Sequence, residues 1–530
     1  MNATKTKKVI SNTRLLLVAM ALLLPATARG AAPGITGPTF NLTAQPAYIS
    51  QPDGSMIYSW GYGCRIAPSG FAPAAISGAA CPTMQVPGPT LIVTEGQTVT
   101  VNLTNGLPTS AGNTSILFPG FSLTSTGGGV AGVLTQEAAP GGTVTYSFIA
   151  GTPGTRAYYS GTQGDLQVEM GLYGAIIVLP AAVPATCSTG LAASNLAAEA
   201  HWGEHDFRLA HAAYDHAKSC YDREYLFQFS EMDPDIHYQA QAQVAARAGC
   251  AAGAAGCSLN VATEPYNPAY FLINGRSMPD DMDPNYAVEY PHQPYNGNPH
   301  MHPGEQVLLR VIGQGRWQHP FHEHGNHVRI LGRDGNLILS SVDPANNLAG
   351  PLMFTTTTTP GLAFDGIFYW TAKGLNWDAY GHNPGSTSTS SANLPCTPDA
   401  NGYNTGVTAQ SAINYYEWCQ DHDKPMQVAP FGDVAGGGPV TLPDPNIFAN
   451  GAWFGGSPYL GPDATVRATG PTGTTPPSGT IANSPTGEAG FAFMWHSHNE
   501  REITTNNVFP GGMLMMMLVD SREFVIDESN

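Results

Sequence analysis

The sequence predicts an all-β protein of two tandem β-sandwiches, the second carrying a long irregular insertion. Three observations carry that prediction. The 530 residues include 61 glycines and 44 prolines but only 11% charged residues, which suits many short strands joined by turns better than long amphipathic helices. Runs of β-formers alternate in the strand manner, as Val99, Val101 and Leu103 do. Two regions also echo each other, each with a Pro-Gly turn leading into a Val/Leu-rich strand.

Taken in order, the chain begins with a targeting pattern. Lys5, Lys7, Lys8 and Arg14 precede the apolar run Leu15–Leu24, and Ala26-Thr27-Ala28 follows as a cleavage site. This predicts a signal peptide over residues 1–28, its apolar run too short to span a bilayer, and no further transmembrane segment. Residues 36–85 read as irregular, with an early strand or two. Two β-forming runs flank Glu95-Gly96, and strands follow over Gly141–Phe148 and Leu172–Leu179. These make a first sandwich over residues 36–182, a normal domain size. Residues 183–222 read as a linker or small helical insert containing His201, His205, His211 and His216; His201 and His205, four apart, fit a solvated helix face better than a metal pair.

The second sandwich is expected over residues 223–525. Its strands are predicted at Glu224–Ser230, Tyr270–Arg276, Pro303–Ile312, Leu362–Thr371, Phe491–His498 and Gly511–Val519. Ala240–Ala255 reads as a short helix or loop, and His300-Met301-His302, among Pro and Asn, as a polar loop. Met513, Met515 and Met517 share one strand face and fit core packing. Residues 376–488 form the insertion, with Ser386–Ser391 and Gly470–Gly487 of low complexity. A three-domain division would place a boundary inside that insertion.

The net charge of −18 and pI near 5.2 argue against nucleic acid as a partner, since phosphate binding needs a basic surface. Eight cysteines, an even number behind an export signal, predict disulfides in an oxidising compartment. Near neighbours suggest Cys64–Cys81, Cys187–Cys220, Cys250–Cys257 and Cys396–Cys419. The chain is therefore expected to be secreted, periplasmic or extracellular, with self-association left open.

Chemistry concentrates in His319-Pro320-Phe321-His322-Glu323-His324-Gly325-Asn326-His327, four histidines in nine residues. Strand alternation puts His322 and His324 on one face. Trp495-His496-Ser497-His498 repeats the two-apart spacing. Neutral imidazole is the commonest ligand for copper, zinc and iron, so the two pairs predict a metal site between two strands. Hydrogen-bonded packing histidines are the competing reading.

These motifs resemble the multicopper oxidase family, whose members are built of Greek-key cupredoxin domains. The pattern from Pro87-Gly88-Pro89-Thr90 to Asn105 looks like the opening of a first cupredoxin domain, and Gly154-Thr155 with Gly171–Val178 looks like its end. His319-Pro320-Phe321-His322-Glu323-His324-Gly325 is similar to the family's HPxHxHG motif, and His496-Ser497-His498 with Gly512-Met513 to its HCHxxxHxxxGM motif. The resemblance covers most of residues 80–180 and 220–520, outside the insertion. It implies tandem cupredoxin-like sandwiches and copper as cofactor. By motif position it implies His319 as a type 1 copper ligand, His322 as a type 2 ligand, and His324, His496 and His498 as type 3 ligands.

The sequence also departs from that pattern. Ser497 stands where the family has the type 1 cysteine, and Glu502 where it has a type 1 histidine. A hydroxyl does not replace the soft thiolate of a blue copper site. Leu117-Phe118-Pro119-Gly120 and Tyr159-Ser160-Gly161 stand where the first domain would supply histidine pairs. Four of the eight histidines that the family's trinuclear cluster uses are thus present, all from the second domain. A mononuclear site drawn from His322, His324, His496 and His498 is expected, with Glu323 or Glu502 as an added carboxylate donor. Two functional readings follow. One is a secreted copper-binding protein of this family, an oxidoreductase with incomplete copper centres that takes a small reductant or a metal ion such as Mn(II) or Fe(II). The other is a non-catalytic copper-binding or structural cupredoxin protein of a cell-surface or extracellular assembly.

Overall fold

A computed structural model describes residues 32–74, 76, 78–373, 396–406, 409–420, 456–459, 490–522 and 524–526. The expected signal peptide lies outside these residues, as do both low-complexity runs of the insertion and most of its length.

The first sandwich opens with a long hairpin, β1 (Thr39–Ser50) and β2 (Met56–Cys64), running from Leu42 opposite Cys64 to Ser50 opposite Met56. The early strands expected here are present, and their length and pairing correct the expectation that the stretch is otherwise irregular. Pro46 and the two glycines of β2 hide the strand pattern. Pro46 is tolerated because β1 pairs with its other neighbour only over Thr39–Ala44, so its missing N–H is not needed there. That neighbour is β4 (Thr98–Asn105), which follows β3 (Leu91–Thr94) across Gly96 at φ +83°. The turn carries the chain from one sheet to the other: β3 joins β7 (Tyr173–Leu179), and β4 joins β5 (Thr143–Ile149). β6 (Gly154–Tyr159) borders β7. The sheets run β2-β1-β4-β5 and β6-β7-β3, extended by Thr124–Thr126 on the first and by Gly34–Thr36 and Phe71–Ala72 on the second. Trp60, Val101, Leu103, Tyr146 and Ile176 fill the space between them.

Helix α1 (Gly190–Trp202) occupies the linker, with His201 exposed in its last turn as expected. β8 (Arg223–Met232) starts the second sandwich, and α2 (Pro234–Ala246) follows at once, capped by the Asp233 carboxylate on the Asp235 N–H. α2 packs backwards: Ile236 and Ala240 belong to the first sandwich's core, and the buried His237 ring bonds the Tyr58 and Glu169 carbonyls.

Further strands include β9 (Tyr270–Ile273), β10 (His300–Met301), β11 (Gln306–Gly313), β12 (His319–Glu323), β13 (Val328–Arg333), β14 (Thr355–Thr358), β15 (Ala363–Tyr369), β16 (Gly490–Ser497) and β17 (Leu514–Asp520). One sheet runs β9-β8-β11-β15-β13 and the other β10-β17-β16-β12-β14, with Gly456–Tyr459 of the insertion pairing with β16. Phe229, Leu309, Phe321, Trp495 and Met515 lie in the core between them, and Met513 and Met517 join them as expected. The described residues thus form two Greek-key-type sandwiches, all-β with few helices. All four expected disulfides are formed.

The sandwiches share a mixed interface. Ala157, Ile177, Leu226 and Ile312 meet across it. Beside them Tyr173 Oη and Ser230 Oγ lie 2.7 Å apart, and Thr155 Oγ1 donates to Asp365 at 2.6 Å. No helix among the described residues is long and apolar enough to cross a membrane.

His300 and His302 correct a second expectation, since neither sits in a polar loop. Both are buried. His300 Nδ1 lies 2.6 Å from Asp520 Oδ2, and His302 Nε2 lies 2.9 Å from Glu204 Oε1. Their partners lie far away along the chain, which no local pattern reveals.

Candidate metal centre

β12 lies between β14 and β16, and the register decides what its histidines can do. His322 stands opposite His496, and Phe321 opposite Ser497. Successive side chains of a strand point to opposite faces. The even-numbered His322, His324, His496 and His498 therefore share the outer face. The odd-numbered His319, Phe321, Glu323 and Ser497 point inward. Gly325, at φ +98°, turns the chain immediately after His324 and lies against the Phe493 ring, where a Cβ would crowd the ring at 3.0 Å and the backbone favours glycine.

Four imidazoles meet on the outer face. The His322 ring centroid is 4.6 Å from that of His324, 5.6 Å from His496 and 5.0 Å from His498. His496 lies 5.2 Å from His324 and 5.4 Å from His498. His322 and His496 are buried, His324 is half-buried and His498 is exposed, so the cluster opens to solvent on one side. His496 Nδ1 donates to the Ser497 carbonyl at 2.7 Å, which leaves its Nε2 a bare lone pair. That Nε2 lies 3.2 Å from His324 Nε2. His322 Nδ1 is held 2.6 Å from Thr355 Oγ1. Burial, aided by His496 and His498, lowers the His322 pKa to about 4, and burial also lowers that of His496. Both rings are then neutral at pH 7, the form that binds metal.

The donor set is chemically suited to a borderline metal ion. Two nitrogens about 2.05 Å from a tetrahedral ion stand about 3.3 Å apart, close to the His324–His496 spacing. Among the described residues, no group of three or more His, Cys, Asp or Glu side chains is already arranged as a finished metal cage. His322 and His498 would have to turn to complete one.

His319 stands apart from this cluster. It is fully buried on the inner face, with Nε2 2.9 Å from Glu231 Oε2 and Nδ1 2.9 Å from Glu502 Oε2. Both ring nitrogens are engaged by carboxylates, which leaves no lone pair for a metal. Burial alone would depress its pKa, but the bonds and charges of Glu231 and Glu502 outweigh that and raise it to about 9. Glu502 also accepts from Ser497 Oγ at 2.5 Å and Asn499 Nδ2 at 2.8 Å. Glu231 accepts from the Arg316 and Trp317 backbone N–H groups at 2.6 and 2.9 Å. Tyr266 Oη lies 3.2 Å from Glu231 and 2.6 Å from Glu169, whose pKa burial raises to about 8.

Neither carboxylate considered as an extra donor joins the imidazoles. Glu502 belongs to the His319 network. Glu323 faces the core and accepts from Thr356 Oγ1 at 3.3 Å, and burial raises its pKa well above the usual carboxylate range. The first sandwich's positions are filled by packing. Phe118 lies 4.9 Å from the Phe148 ring, Leu117 pairs with Tyr159 through the backbone, and Ser160 Oγ donates to Gln167. Sequence reasoning missed the role of Glu231, which lies far from both histidine motifs and shows no signal of its own.

His319 and Glu169 both bind protons more tightly in the folded state, so they act together on stability. The His319 contribution is fully present below the unfolded value of 6.5 and is lost as pH rises through about 9; that of Glu169 is present below 4.5 and is lost through about 8. The thermal midpoint should therefore fall as pH is raised from 6.5 to 9, read by circular dichroism at constant ionic strength. His319→Gln should flatten that fall.

The multicopper oxidase family model matches residues 80–182, inside the first sandwich. An L-ascorbate oxidase of Brassica rapa subsp. pekinensis is 37% identical over 98 residues, 18% of this chain and 16% of the relative. A laccase of Aspergillus fumigatus is 36% identical over 98 residues, with the same shares. The match thus spans about one-sixth of the length of these curated relatives. Among solved structures, a multicopper oxidase designated mgLAC is 16% identical with a TM-score of 0.42, covering 91% of this chain and 85% of that one. A blue copper oxidase from Nitrosomonas europaea is 16% identical with a TM-score of 0.42, covering 90% and 85%. The imidazole cluster lies outside the residues that the family model matches.

Proposed function

We propose that this chain, whose residues 80–182 match the multicopper oxidase family model, is an exported copper-binding member of that family whose metal site is the cluster His322, His324, His496 and His498. The observation that carries this reading is four imidazoles converging on one sheet face, two of them neutral at pH 7 by environment. Copper held there would supply a one-electron couple. The protein's own groups do the rest: Ser497 fixes the His496 tautomer, Thr355 holds His322, and the exposed His498 side admits a small reductant or a metal ion.

Two cupredoxin-like domains, residues 36–182 and 223–525, joined by the linker 183–222 and interrupted at about 376–488, frame the site in this reading. The leader 1–28 and the four disulfides support export to an oxidising compartment. Four-electron reduction of dioxygen is not part of the proposal. The first-domain ligand positions carry no imidazole, and a second copy of the chain lacks the same ligands. That deficit favours the second reading, a copper-binding protein of an extracellular assembly that turns nothing over.

Metal analysis and EPR of tag-free protein test the proposal. After copper loading and desalting, one Cu(II) per chain with imidazole hyperfine features and no strong visible thiolate-to-copper band is expected. Copper-free protein after loading would overturn the metal reading. An intense thiolate band would overturn the assignment of the site.

A further inference from the structure

The resemblance also implies a second copper at His319, and the structure disagrees. A copper there would need a free ring nitrogen and a soft donor at position 497. Both His319 nitrogens instead contact carboxylates at 2.9 Å, and residue 497 offers a hydroxyl. An imidazole that bonds a carboxylate through each nitrogen needs a proton on both, so His319 is an imidazolium. A fixed organic cation therefore sits between Glu231 and Glu502.

This group lies directly behind the outer-face cluster. Ser497 is the residue between His496 and His498, with its side chain on the opposite face of the strand. Three of its atoms are tied down. Its Oγ donates to Glu502 Oε2, its N–H to the Met513 carbonyl at 3.0 Å, and its carbonyl accepts from His496 Nδ1. Glu502 is itself held by Asn499 Nδ2 and His319, and its backbone carbonyl accepts from the Met513 N–H at 2.8 Å. Glu231 anchors the far end on β8 through two backbone N–H groups. Ser497, Glu502, His319 and Glu231 are each no more than 3% exposed, so water does not compete for these bonds. Rotation of the end of β16 about its axis would move both His496 and His498, and would break the Ser497–Glu502 bond first.

We infer that Ser497, Glu502, His319 and Glu231 form a metal-free, hydrogen-bonded brace that positions His496 and His498 for metal. Ser497 is its key positioning residue, since it touches the brace with its side chain and His496 with its carbonyl. The inference rests on the metal reading given above, and the test separates the two.

Zinc serves as a diamagnetic probe with full-length, 15N-histidine-labelled protein. At pH 7 without metal, long-range 1H–15N spectra should show His319 protonated on both nitrogens, assigned by its loss in His319→Gln. On zinc saturation the His319 signals should stay in place while those of His322, His324, His496 and His498 move. Ser497→Ala should bind zinc with the same stoichiometry but about 10- to 100-fold more weakly, the range of outer-shell substitutions at metal sites. Ser497→Thr, which keeps the hydroxyl, should restore affinity. A neutral His319, His319 signals that move with zinc, or wild-type affinity in Ser497→Ala would each overturn the brace while leaving the metal site intact. Wild-type protein that binds no zinc would instead overturn the metal reading, and with it the site that the brace serves.

Discussion

His322→Ala combined with His496→Ala should abolish copper binding, taking the metal from one per chain to none while leaving the far-ultraviolet spectrum unchanged. The two rings stand opposite each other across β12 and β16 and are the buried pair of the four. Removing them leaves His324 and the exposed His498, too few imidazoles for a three- or four-nitrogen site. Both side chains lie on the outer face, so their loss opens no cavity between the sheets. Each single variant should retain weakened binding. The measurement is metal content after desalting, with EPR of the residual copper. Full occupancy in the double variant would place the metal elsewhere, and His201–His216 would then be the region to examine.

The largest expected effect on stability lies at Arg223. Its guanidinium contacts Glu204 and Glu305, and Glu305 is further bound by Arg522 Nη1 at 3.0 Å. Glu204 also meets His302, and the whole group is buried. Burial alone would raise the Glu305 pKa, but Arg223, His302 and Arg522 hold it down to about 2, so it is ionised at every ordinary pH. Arg223→Met should cost about 3–5 kcal/mol, because it strands buried carboxylates without their partner. Arg223→Lys should recover only part of that loss, since an ammonium does not reproduce the two-sided fork. Denaturant unfolding checks both. A cost below about 1 kcal/mol would mean that water reaches the network.

Much of the fold is legible in the sequence where strands are regular. Val99, Val101 and Leu103 alternate and are buried, and the apolar run before Leu179 is a central strand. The hairpin β1–β2 is not legible, because Pro46, Gly61 and Gly63 sit where a strand pattern would need β-formers. At the site, alternation alone places His322 and His324 together. The same rule puts His319 on the other face, a consequence that the family motif obscures by grouping all three. The partners of His319 come from β8 and from the turn after β16, 88 and 183 residues away. Such long-range charge pairing leaves no local trace. His300 and His302 fail for the same reason, since Asp520 and Glu204 lie far along the chain.

Helix α2 has a consequence for how this chain can be divided. It is encoded after the linker, directly behind the first strand of the second sandwich, yet Ile236 and Ala240 complete the core of the first. His237 reaches two carbonyls of that sandwich, and the Asp233 N–H donates to the carboxylate of its Glu169. The unit that natural shuffling or a protein engineer could move intact is therefore not bounded by the linker. A first module cut there would lack its own lid, and a second would carry a helix whose Ile236–Ala240 face has nothing beneath it. The two halves are modular in strand count but not in surface.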